Sequence, residues 1–165
     1  MANVQKITPC LWFDGQAEEA ANYYTRIFDN SEIVHIDRFL EAGQDIHGQE
    51  PGRVMVVVFK LEGQQFIALN GGPQFKFNEA ISFQVLCSDQ EEIDYFWGEL
   101  SRGGDKEAQQ CGWLKDRFGV SWQVVPSILP ELLSDPDKRR ANHVMSTLLQ
   151  MKKIEIDKLL AASAE

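Results

Sequence analysis

Residues 12–27 read WFDGQAEEAANYYTRI, and residues 85–100 read VLCSDQEEIDYFWGEL. An offset of 73 residues lays Glu18–Glu19 on Glu91–Glu92, Tyr23 on Phe96, Tyr24 on Trp97 and Ile27 on Leu100. Each stretch follows an apolar run and precedes several short strand-like runs. The chain therefore reads as two similar modules, each a strand, a helix and then further strands. Such a pseudo-twofold body has a cleft where its halves meet, a favoured place for a ligand.

Around this repeat, residues 6–13 form a short apolar strand, with Pro9 favouring an edge or bulge position. Residues 16–28 carry Ala17, Ala20, Ala21, Tyr24 and Phe28 at helical spacing. Residues 32–39 alternate like a strand. Residues 41–52 (EAGQDIHGQEPG) are polar and non-periodic and read as a loop. Residues 53–61 and 65–70 flank Glu62-Gly63 as a hairpin. In the second module the spacing predicts a strand at 80–86, a helix at 89–102 with Asp89 as N-cap, a strand at 107–115 and another at 120–125. Residues 126–165 read as two or three helices interrupted near Asp135-Pro136, with no counterpart in the first module. We expect residues 1–127 to form one domain, with modules at about 1–73 and 74–127, and residues 128–165 to form a helical extension.

The chain has 165 residues, 44% hydrophobic and 25% charged, an ordinary balance for one globular domain. A net charge of −9 argues against nucleic acid as partner, which needs a positive footprint. No apolar run approaches a membrane span, and the first residues lack a signal peptide's apolar core. Cys10, Cys87 and Cys111 are odd in number, far apart and form no CxxC pair. Reduced thiols and a cytoplasmic location are the expectation.

Three phrases are familiar: TPCLWFDGQAEEAANYYTRIF (8–28), FIALNGGPQFKFNEAISFQV (66–85) and GWLKDRFGVSWQVVP (112–126). They resemble the PhnB-like family of the glyoxalase-like vicinal oxygen chelate (VOC) superfamily, many of whose members carry a demethylubiquinone methyltransferase name. Residues 140–162 resemble that family's helical extension. The resemblance implies an α+β fold of paired βαβββ modules, the glyoxalase/bleomycin resistance-like fold, with a C-terminal helical extension. It also implies a homodimer, and the tail pairs Leu148-Leu149 and Leu159-Leu160 are candidates to pack across subunits.

In the metal enzymes that this chain resembles, the ligands come from the first and last strands of each module, usually His or Gln and Glu. Matching Asp116 and Gly119 to the D-P-D-G-N-x-I-E-L pattern puts Gln123 where a Glu ligand would stand. The first module offers Phe66, Ile67, Ala68 and Leu69 there, and the first strands offer Ile7 and Ala80, or Thr8 and Ile81 after a one-residue slip. His35, His47 and His143 share no converging spacing. We expect no metal. We expect no cofactor either, because no strand leads into a G-x-G loop and Gly71-Gly72-Pro73 opens no helix.

Strand alternation predicts that Ile81, Phe83, Val85, Trp122 and Val124 pack on a helix, while Ser82, Gln84, Leu86, Ser121, Gln123 and Val125 take the concave side. Cys111 and Trp113 share a face of their expected strand. The candidate ligand-binding residues are Ser82, Gln84, Cys111, Trp113, Ser121 and Gln123. Trp12, Tyr24, Trp97 and Trp122 read as core, Asn70 as turn former or ligand contact, and Lys115 and Arg117 as surface charge. No catalytic residue is identified. Three functions stay open: binding of an unidentified small molecule, a VOC-type enzyme of unknown substrate, and a structural dimer with a filled cleft.

Overall fold

The computed structural model describes residues 4–164. The first and last residues of the expected domain ranges, Met1 to Asn3 and Glu165, lie outside the described residues. The chain divides into two compact units, with the boundary between Lys76 and Phe77.

The first unit runs β1 (Cys10–Phe13), α1 (Ala17–Ile27), β2 (Glu32–Arg38), a short α2 (Gln44–His47), β3 (Val54–Leu61) and β4 (Gln64–Asn70). Its sheet has the order β1-β4-β3-β2, with β1 parallel to β4 and the other pairs antiparallel. Helix α1 lays Ala17, Ala20, Ala21, Tyr24 and Ile27 against one side of that sheet, where Val57, Phe59, Phe66 and Ala68 are buried. The fully buried Tyr24 ring stacks on Phe59 at 6.3 Å, and Phe59 on Phe66 at 5.5 Å. Burial of this apolar stripe, more than helix propensity, holds an 11-residue helix in place. The polar loop at 41–52 contains α2, bounded by Gly43 and Gly48 at positive φ.

The second unit runs β5 (Ser82–Cys87), α3 (Gln90–Ser101), a 3-10 turn (Lys106–Ala108), β6 (Trp113–Lys115), β7 (Ser121–Pro126), α4 (Leu129–Leu133), α5 (Lys138–Leu148) and α6 (Ile156–Ala164). The sheet order is β5-β7-β6, with β5 parallel and β6 antiparallel to β7. Asp89 caps α3 by accepting from Glu92 N at 2.9 Å, and Glu92 Oε2 accepts from Ser88 N at 2.7 Å, a reciprocal capping pair. Ile93 and Leu100 are fully buried where their repeat partners Ala20 and Ile27 are also buried.

The second copy of the plan is shortened. The strand expected over 107–115 survives only as β6. Asp105 Oδ1 accepts from Glu107 N at 2.9 Å and starts a 3-10 turn instead. Gln110 and Trp113 then exchange backbone hydrogen bonds across Cys111-Gly112, whose φ values of 51° and 83° are those of a primed hairpin turn. Ile81 is also displaced: it precedes β5 and is 74% exposed rather than packed on α3.

The C-terminal helices belong to the second unit's core. Val125, Val144, Leu148, Met151, Ile154, Leu159 and Ala162 form one buried cluster, against which Cys111 packs. Leu148 and Leu159 are thus used within their own chain, while Leu149 and Leu160 stay exposed. Cys111 N donates to Met151 O and Gly112 N to Lys152 O, both at 2.8 Å. Gln90 adds two bonds, Nε2 to Ile154 O at 3.1 Å and Oε1 from Ile156 N at 2.8 Å. A Cβ on Gly112 would lie 2.7 Å from Val124 O and 2.9 Å from Ile154 Cδ1, so a glycine is what lets the tail lie down there.

Candidate functional site

The register of the second sheet sets its side chains in rows. Ser82 pairs with Ser121 and Gln84 with Gln123 across β5–β7, and Trp113 pairs with Gln123 and Lys115 with Ser121 across β6–β7. One row is therefore Lys115–Ser121–Ser82 and the next is Trp113–Gln123–Gln84, both on one side of the sheet. The intervening Trp122 and Val124 are buried on the side of α3.

Hydrogen bonds tie the rows together. Gln123 Nε2 donates to Ser82 Oγ at 2.8 Å, and Gln84 Nε2 donates to Gln123 Oε1 at 3.4 Å. Gln84 is exposed, and Trp113 and Gln123 are half-buried. Ser121 is 2% exposed, and its Oγ has no hydrogen-bond partner among the described residues. Lys115 Nζ forms an ion pair with Glu79, and this bond is the first cause that holds the Glu79 carboxyl below its usual range.

Five of the six expected ligand residues thus meet on one face, and Cys111 does not. It sits at the hairpin turn, where the chain reverses, so the alternation of β6 cannot be carried back to it. The register adds Lys115, whose side chain is 25% exposed and lies on this face rather than out in solvent. Its place two residues after Trp113 was the available signal.

The thiols are poorly suited to nucleophilic work. Burial pushes Cys87 up to about 12, with Glu92 and Asp89 adding to it. Burial also raises Cys10 and Cys111. A protonated thiol is a weak nucleophile.

A divalent metal, which the glyoxalase-like fold implies, does not fit the donors present. No three His, Cys, Asp or Glu side chains come together among the described residues. Ile7 and Ile81 are exposed and apolar, and Gln123 spends its amide on Ser82 and Gln84. His35 Nε2 pairs with Asp37 at 2.8 Å on an exposed strand. His47 Nδ1 accepts from Gln49 N and its ring lies 4.8 Å from Phe39.

Two of the family-like phrases have structural roles instead. In LNGGP, Asn70 is buried; its Oδ1 accepts from Ala17 N at 2.9 Å and its Nδ2 donates to Val54 O at 3.0 Å. It caps the first turn of α1, which has no side-chain cap of its own. A Cβ on Gly71 would overlap the Trp12 indole, and Trp12 Nε1 donates to Gly72 O at 2.8 Å. The glycines seat Trp12, which is half-buried rather than core, and leave no cradle for a nucleotide-type cofactor. In DRFGVSWQV, the buried Asp116 accepts from Phe118 N, Val120 N and Trp122 Nε1 at 2.8, 3.1 and 2.9 Å. That carboxylate shapes the turn that delivers β7.

Residues 5–125 match the family described as 3-demethylubiquinone-9 3-methyltransferase. The chain belongs to this family. Within the PhnB-like group, it is 39% identical to a PhnB protein from Bacillus cereus that carries the same methyltransferase name, over 74% of this chain and 100% of that one, with a TM-score of 0.65. FosX, the fosfomycin resistance protein, is similar in fold. The Mesorhizobium loti structure has 11% identity and a TM-score of 0.55, and the Listeria monocytogenes structure 17% and 0.50, each over 82% of this chain and 99% of the other. No curated protein matches. The PhnB-like chain thus has the glyoxalase-like VOC fold, α+β with two small sheets.

Proposed function

We propose that this PhnB-like protein binds a small molecule on the face of its second sheet and orients it by hydrogen bonds. The observation that carries this is the Gln84–Gln123–Ser82 chain beside Trp113. Amides and hydroxyls hold a ligand without exchanging protons near neutral pH, and a half-buried indole offers a flat apolar wall. The methyl transfer in the family's description is not part of this reading, because Trp12 fills the glycine pair. Free thiols and an acidic chain support a cytoplasmic protein with no nucleic-acid partner. No helix is long and apolar enough to cross a membrane among the described residues. A second copy of the chain is the partner we propose for the exposed Leu149 and Leu160; sedimentation as a monomer at micromolar concentration would count against it.

The test is a screen of small aromatic compounds by two-dimensional NMR, read at the side-chain amides of Gln84 and Gln123 and the indole of Trp113. Hits should move these signals and lose their effect in Gln123→Leu. Hits that move only residues elsewhere would sink the proposal. A parallel thermal titration of chelated protein with Zn²⁺, Ni²⁺, Mn²⁺ and Fe²⁺ separates binding from a Lewis-acid enzyme. A metal at a hundred times its Kd would add about 2.7 kcal/mol, visible as a raised Tm.

A further inference from the structure

Ser121 is anomalous on the proposed face. Buried hydroxyls are normally paired, yet its Oγ has no partner among the described residues. Its cross-strand neighbours are Lys115 and Ser82. Neighbouring strands lie about 4.8 Å apart, so the side chains of Lys115, Ser121 and Ser82 stand side by side in one row across the sheet. Ser82 Oγ accepts from Gln123, which leaves its own proton to donate. The row therefore offers donors and a positive charge, with no carboxylate in it.

The carboxylate that does reach Lys115 comes from outside the sheet. Glu79 lies just before β5, and its side chain is 63% exposed against 25% for Lys115. Glu79 is the exposed partner of the pair, so water and an incoming anion can compete for its place on Lys115. Resting on the row reading above, we propose that Lys115, Ser121 and Ser82 receive the anionic end of the ligand, a carboxylate or a phosphate ester, and that Glu79 holds Lys115 until that group displaces it. Trp113 lies one strand repeat along, about 7 Å, and receives the flat part of the same molecule.

Benzoate, phenyl phosphate and neutral benzamide distinguish the possibilities, titrated into wild type, Glu79→Gln and Ser121→Ala with the NMR readout at Gln84, Gln123 and Trp113. Benzoate or phenyl phosphate should bind at least tenfold more tightly than benzamide. Glu79→Gln should tighten the anion severalfold and leave benzamide unchanged. Ser121→Ala should weaken the anion about tenfold, as expected for a hydrogen bond to a charged group. Benzamide binding as well as the anions, with no response to either substitution, overturns the anion receptor and leaves the face as a ligand site. No response from any probe at these signals overturns both. Glu79 is an exposed side chain, so its variant reads the competition even where Ser121→Ala does not fold.

Discussion

In the first unit, the side of the sheet away from α1 presents an apolar patch of Cys10, Trp12, Val56, Val58, Ile67 and Leu69, bordered by His35 and Asp37 on β2 and by Lys60 and Gln65. In the second, the equivalent side presents Ser82, Gln84, Trp113, Lys115, Ser121 and Gln123, followed by Leu86 and by Val125, which packs in the tail cluster. The helix sides are alike, packed with buried apolar residues in both units. The shared plan is thus conserved where a core must form, and the chemistry diverges where the sheet is turned away from its helix. The polar supports differ too. The amide of Asn70 fastens α1 in the first unit, whereas the second buries the carboxyl group of Asp116 at the start of β7.

That difference predicts the largest effect. Asp116→Ala leaves two backbone N–H groups and an indole N–H without their acceptor, and should lower stability by about 4 kcal/mol in denaturant titration. Asn70→Ala removes one acceptor and one donor and should lower it by about 2 kcal/mol. Equal losses would show that the two supports are interchangeable and that the contrast is one of charge alone.

The close-packed Gly112 falls between these two. Gly112→Ala combines a left-handed φ with overlap on Val124 and Ile154, and should lower stability by about 3 kcal/mol. Because the contact is with the tail, amide exchange should accelerate in α6 more than in α1. Uniform acceleration would mean that the extension is not separately fastened at this point.

On the ligand side, Gln123→Leu makes the second face resemble the first. Stability should change by less than about 1 kcal/mol, since a half-buried amide is replaced by an apolar chain of similar size. Ligand-induced shifts at Gln84 should vanish. The reverse substitution, Leu69→Gln, should create no binding in the first unit, because the residues paired with Leu69 are the apolar Trp12 and Val56 and the next row, Cys10–Ile67–Val58, holds neither a serine nor a lysine.

Much of this contrast was legible in the sequence. The helix repeat was readable because helices α1 and α3 begin 73 residues apart, at Ala17 and Gln90. The strands before them end 74 apart, at Phe13 and Cys87, because the second connection is one residue shorter. A one-residue slip exchanges the faces of a strand. Local alternation therefore located Ser82, Gln84, Ser121 and Gln123 where the helix offset would have misplaced them. Cys111 was beyond reach because a non-glycine at positive φ in a turn leaves no mark in an alternation pattern. The roles of Asn70 and Asp116 were hidden because their partners are mostly backbone N–H and C=O groups, which no residue type announces.

The smallest expected effect concerns how the tail is held by charge. Asp94 on α3 pairs with Lys153 at 2.5 Å, and it also accepts from Gln90 at 3.0 Å. The hydrogen bond from Lys153 is the first cause that holds its carboxyl below the usual range, followed by that from Gln90. A carboxyl whose folded pKa is depressed contributes stability above its unfolded value, about 3.9 for Asp, and loses it as pH falls through the lower folded value. The Tm difference between wild type and Asp94→Asn should therefore be level near neutral pH and shrink in acid. Both partners are substantially exposed, so the difference should be small and should fall with added salt. A difference that persists undiminished in acid and salt would assign the effect to Gln90, whose neutral amide also holds Ile154 and Ile156, and would make the tail's attachment one of hydrogen bonds alone.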